Sequence, residues 1–103
     1  HYRLLRLVVS KGLNMYEVDY EIIVFKKDSD YPEYSFKINI TPEEVRNVIG
    51  KWGQSSILPE DVNPYASFLL TSLETKALDS YLEDEEFTWN HEQEDYYLEC
   101  SEV

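Results

Sequence analysis

Residues 16–25 constrain this chain more than any other stretch, because their apolar and polar side chains alternate with a period of two. Tyr16, Val18, Tyr20, Ile22 and Val24 fall on one side, and Glu17, Asp19 and Glu21 on the other. That period belongs to a β-strand with one buried face, not to a helix. Ile23 and Phe25 then join the outer face, so that end of the strand is expected to be covered. Residues 2–9 form a largely apolar run of strand length, interrupted by Arg3 and Arg6, with Lys11-Gly12 at its end. Tyr34, Phe36, Ile38 and Ile40 alternate with Ser35, Lys37 and Asn39, which gives a third strand. Lys27-Asp28-Ser29-Asp30-Tyr31-Pro32 is a turn cluster between the second and third. Short connections without a crossover helix predict a three-stranded antiparallel meander at the N-terminus.

Helix signals follow. Thr41-Pro42-Glu43-Glu44 combines an N-cap, a proline at the first helical position and a glutamate placed to close a capping box. Val45, Val48 and Ile49 supply the buried stripe, and Gly50 and Gly53 are expected to end the helix. Residues 54–62 read as a loop. Asn63-Pro64 repeats the cap-and-proline pattern, and Ala66, Leu69, Leu70, Leu73 and Ala77 share one helical stripe. A second helix is therefore expected over residues 64–82. Beyond it, Phe87-Thr88-Trp89 and Tyr96-Tyr97-Leu98 suit either the arms of a hairpin or, through Phe87, His91, Glu94 and Leu98, one face of a helix. The expected fold class is α+β: a three-stranded antiparallel sheet packed by two helices, with an acidic C-terminal hairpin or helical extension. A chain of 103 residues fits one domain. Residues 1–53 make a neutral, β-rich scaffold with the first helix, and residues 54–103 make an acidic helix and C-terminal segment.

Charge separates those halves. Residues 1–53 carry eight basic and eight acidic side chains, whereas residues 54–103 carry thirteen acidic ones and only Lys76 against them. The whole net charge of -12 therefore lies in the second half. Net charge governs association and solubility more than fold, so this asymmetry is a statement about partners.

Residue chemistry excludes several activities. Gly12, Gly50 and Gly53 are the only glycines, and none sits in a phosphate-cradling loop. His1, His91 and Cys100 lie too far apart in sequence for a zinc motif, and the acidic run lacks the glycine of a calcium loop. No serine stands in a nucleophile motif, and a solvated row of carboxylates offers no dry pocket for acid–base work. An enzyme is not expected, nor a cofactor or metal. Direct nucleic-acid binding is not expected either, since the basic residues are scattered and the acidic half repels phosphate. No apolar run approaches the ~20 residues of a membrane span. A single cysteine forbids an intramolecular disulfide and favours a cytoplasmic setting.

Carboxylates and aromatic side chains interleave over residues 79–99. The candidate partner-binding residues are Asp79, Glu83, Asp84, Glu85, Glu86, Trp89, Glu92, Glu94, Asp95, Tyr96 and Glu99, with Trp89 and Tyr96 as anchors. Like charges spaced four apart on a helix, such as Asp79 and Glu83, each cost roughly 0.2–0.5 kcal/mol. Such a run, kept without compensating bases, points to a binding face for a basic protein. In charge and size the chain resembles nucleic-acid mimics such as phage-encoded anti-CRISPR and anti-restriction proteins. That resemblance implies an inhibitor filling the cationic channel of a nucleic-acid-binding enzyme. An immunity protein neutralising a basic nuclease toxin is the alternative, and a structural or assembly protein is a third.

Overall fold

The computed structural model describes the backbone of residues 7–10, 13–16, 18–52 and 58–102, and the side chains of residues 18–50 and 58–102. Its strands open with β1 (Leu7–Ser10), β2 (Leu13–Tyr16), β3 (Val18–Lys26) and β4 (Pro32–Ile38). The period-two pattern does what it predicts in β3: Tyr20, Ile22 and Val24 are buried and the residues between them are not. β4 pairs antiparallel with β3, setting Ile38 opposite Tyr20 and Phe36 opposite Ile22. The turn between them holds Asp28 at φ 65°, a left-handed conformation that aspartate tolerates better than most residues.

The expected meander stops there. β1 pairs with β2 in a separate two-stranded sheet, and no ladder joins it to β3 among the described residues. The place beside β3 is taken by β6 (Glu94–Glu102), from the far end of the chain. The sheet has four strands, not three, in the order β4-β3-β6-β5, where β5 is the two-residue strand Phe68–Leu69. The pairing of β6 with β3 runs from Val18 opposite Glu102 to Lys26 opposite Glu94. It brings Tyr96 and Leu98 onto the same face as Tyr20, Ile22 and Val24, where all five are essentially solvent-free. That apolar match explains why an acidic segment lies in the middle of the sheet. Its burial outweighs the charges, which sit at the strand ends and on the opposite face. Neither the hairpin nor the helix expected for residues 87–98 forms.

The two helices are α1 (Pro42–Trp52) and α2 (Ser72–Leu78), so the α+β class with an antiparallel sheet and two helices holds. At α1 the capping box is present: the Thr41 N–H donates to Glu44 Oε1 (3.0 Å) and the Glu44 N–H to Thr41 Oγ1 (3.2 Å). The helix continues through Gly50 instead of ending there. Glycine serves close packing at that position, since a Cβ would stand 2.6 Å from Pro59 Cα. Val45, Val48 and Ile49 join the core with Ile38 and Ile40. Gly53 lies outside the described residues.

The helix expected over residues 64–82 is much shorter. Asn63 and Pro64 begin a turn, in which the Tyr65 N–H donates to Asn63 Oδ1 (3.0 Å) and the Ala66 N–H to the Asn63 carbonyl (3.2 Å). Pro64 is buried, and its carbonyl accepts from the Tyr20 hydroxyl at 2.7 Å. Phe68 and Leu69 pair with β6, and only then does α2 start, capped by Thr71. Thr71 and Glu74 form a second capping box, with bonds of 2.7 and 3.2 Å. Two elements thus supply the apolar stripe that reads as one helix, and Leu69 and Leu73 remain more than half exposed.

Tyr20 and Tyr96 bring hydroxyls into the core. Tyr96 accepts from the Asn90 N–H and donates to Glu94 Oε1, both at 2.7 Å. Burial pushes its pKa up to about 12, against the Asn90 hydrogen bond, which lowers it, and burial raises Tyr20 as well. The folded chain therefore holds these protons where an unfolded tyrosine loses them, near pH 10. Above that pH the native state binds more protons than the unfolded one. The stability from these hydroxyls is complete below about pH 10 and falls as pH rises through the folded values. Tyrosine absorbance should therefore rise in two phases, the later one coinciding with loss of the circular dichroism signal. One phase near pH 10 with secondary structure intact would contradict this burial.

Candidate functional site

The four successive carboxylates Glu83, Asp84, Glu85 and Glu86 are all exposed, as their sequence suggests, but they form no linear row. They occupy a tight turn. The Phe87 N–H donates to the Asp84 carbonyl (3.2 Å), and the Glu86 N–H to Asp84 Oδ1 (3.0 Å). Asp84 thus spends one carboxylate oxygen on shaping the turn, a common use of aspartate at its first position. Glu83, Glu85 and Glu86 meet no basic side chain among the described residues.

Aromatic packing holds the turn in place. Phe87 lies against Phe36 of β4 with ring centroids 4.8 Å apart and stands edge-on to Trp89 at 5.1 Å. Trp89 in turn meets Tyr96 edge-on at 4.9 Å. Edge-to-face pairs contribute about 0.5–1.5 kcal/mol each beyond their buried area. The Trp89 indole N–H also donates to Asp79 Oδ1 at 2.5 Å, tying this loop to the 3-10 turn after α2. On the other side, Leu82 bridges Ile38, and the Asn39 N–H donates to the Tyr81 carbonyl at 3.1 Å. The acidic turn is therefore clamped at both ends.

Beside it lies a groove of about 250 Å³ with an apolar floor of Tyr34, Phe36, Leu82 and Phe87 and a charged rim of Glu83, Asp84 and Lys37. It follows β4, an edge strand of the sheet. Tyr34 is 44% exposed there, and burial followed by the nearby Glu94 and Glu33 carboxylates raises its pKa. The expected site omitted Tyr34, Phe36, Leu82 and Phe87. The alternation of β4 marked the first two as apolar, but only tertiary packing brings Leu82 and Phe87 opposite them.

The other expected site residues disperse. Tyr96 is 0% exposed, so it cannot be a surface anchor; its ring fills the core and its hydroxyl is already bonded. Trp89 is half-buried and serves chiefly to fix the loop. Asp79 is exposed but holds the Trp89 indole. Glu92 is exposed on the turn before β6, and Glu94 accepts from Tyr96. Asp95 and Glu99 lie on the sheet face opposite the helices; Asp95 pairs with Lys27 at 2.6 Å, and Glu99 accepts from Ser67 at 3.2 Å. Sequence proximity thus suggests one surface where the fold makes several.

Histidine and cysteine have structural partners. His91 Nε2 lies 2.8 Å from the buried Thr75 hydroxyl, and its ring is edge-on to Tyr96. Burial raises the Cys100 pKa, and its Sγ donates to the Tyr65 carbonyl at 3.4 Å. Among the described residues no three of His, Cys, Asp and Glu are grouped to hold a metal ion. Among them, too, no helix is long and apolar enough to cross a membrane. No protein-family profile matches the chain, and no curated protein sequence or solved structure matches it.

Proposed function

We propose that this protein is an inhibitor that docks on the cationic surface of a nucleic-acid-binding enzyme, with the 83–86 turn taking the place of phosphates. One observation supports the reading: a turn clamped at both ends presents successive exposed carboxylates that no basic side chain neutralises among the described residues. Concentrated negative charge on a fixed support gives rapid, salt-sensitive encounter with a basic surface. The compact turn suits insertion into a cationic pocket better than imitation of a long duplex. The apolar groove favours a second reading, an immunity protein on a basic nuclease, because its floor needs an apolar side chain that a phosphate channel does not present.

The test is capture on the immobilised chain, followed by elution with salt and, separately, with duplex DNA. Retained nucleic-acid-binding enzymes should be released by raising salt from about 50 to 200 mM, a range in which surface charge contacts are strongly screened. Release by DNA supports occupation of the nucleic-acid channel, and release by salt alone supports the immunity reading. Retention that withstands both treatments contradicts each.

A further inference from the structure

The helices cover one face of the four-stranded sheet. On the other face, strand register lines up Leu69 of β5, Tyr97 of β6 and Ile23 of β3 in one row. Phe25 stands edge-on to Tyr97, with centroids 5.4 Å apart. No helix packs on this row among the described residues; Leu69 is 57% exposed, and Ile23, Phe25 and Tyr97 are half-buried. An apolar stripe crossing three strands is more than the singly scattered apolar residues any surface carries.

Carboxylates flank the stripe. Glu21 and Glu99 are directly opposite each other across β3 and β6, an arrangement that destabilises a sheet when nothing lies between the charges. Among the described residues the bases on this side are engaged elsewhere: Lys37, which stands opposite Glu21 on β4, pairs with Asp19 at 3.6 Å, and Lys27 pairs with Asp95 at 2.6 Å. Next to the stripe is a cleft of about 330 Å³ bordered by Phe25, Tyr97, Asp95 and Glu99.

We infer that this sheet face is a second docking surface, whose occupant is a cationic segment of another protein. Its apolar side chain rests on Tyr97, Ile23 and Leu69, and a lysine or arginine enters between Glu21 and Glu99. Charge complementarity selects this occupant. A second copy of the chain would set the same carboxylates against one another. The face lies across the sheet from the acidic groove, so the inference does not depend on what the 83–86 turn binds.

Titrating the isotope-labelled full chain with a synthetic peptide of alternating leucine and lysine, followed by backbone NMR, tests it. A peptide of equal length and charge, with glycine replacing leucine, is the control. The leucine peptide should shift the amide signals of Glu21, Ile23, Tyr97 and Glu99 and bind about tenfold more tightly than the control, as expected when apolar burial adds to charge. The double variant E21Q/E99Q should weaken it by about tenfold, whereas E83Q/E85Q should leave it unchanged. Shifts confined to residues 83–86, or equal affinity for both peptides, would overturn the inference. So would concentration-dependent self-association through this face, or contacts showing that residues 1–17, with Arg3, Arg6 and Lys11, already occupy it.

Discussion

A chain lacking residues 94–103 should fail to fold, giving a disordered far-ultraviolet spectrum and no cooperative melting transition. An acidic terminal extension would be dispensable, but β6 is an inner strand of the sheet. It pairs with β3 over nine residues and carries β5 on its other side. Its Tyr96 and Leu98 are both 0% exposed. Truncating a buried leucine costs about 2–5 kcal/mol, and a buried large aromatic about 3–5. Losing both therefore removes about 5–10 kcal/mol, comparable with the whole stability of a domain, which is about 5–15. The broken ladder adds to that, because β3 is left with an edge of backbone groups that have lost their partners. A truncated chain that melts cooperatively near the full-length temperature would show that the sheet does not depend on β6.

The triple variant E83K/E85K/E86K should abolish binding to the basic partner while leaving the fold unchanged. Asp84 is kept because its Oδ1 accepts from the Glu86 N–H and shapes the turn; reversing it would confound a lost charge with a lost turn. The three glutamates are exposed and their side chains bond to no described residue, and substitutions at such sites usually alter stability by no more than about 0.5 kcal/mol. Close charge pairs across an interface contribute about 1.5 kcal/mol or more, and each 1.4 kcal/mol is tenfold in affinity. Three reversals should therefore lower affinity by about 1000-fold, mostly at low salt, where screening is weakest. Isothermal titration with the captured partner, alongside thermal melts of both proteins, separates the two effects. Unchanged affinity would remove the 83–86 turn from the interface, and with it the proposed function.

Thr41 and Glu44 show what local rules can settle. Their capping box needs only residues three apart, and it marks the start of α1 in the sequence as in the structure. Thr71-Ser72-Leu73-Glu74 carries the same signature and does start α2. It was masked because Ala66, Leu69, Leu70, Leu73 and Ala77 satisfy helical spacing across what are two elements. Spacing alone does not distinguish a continuous helix from a turn, a short strand and a helix joined end to end. The missed groove has a similar origin, since Phe36 and Phe87 meet only through tertiary packing.

The acidic half divides along the same line. Sequence by itself determined the α+β class, the strands around Tyr20 and Phe36, the start of α1 and the imbalance of charge. Those properties depend on side-chain period, on neighbours within one helical turn or on simple composition. Tertiary structure alone decided that β6 lies beside β3, that Tyr96 is core and not anchor, and that the carboxylates separate onto different surfaces. β3 and β6 are distant along the chain, and their pairing is selected by which apolar faces complete one core. No local pattern records that choice, because the free energy that makes it is released only when both strands are in place.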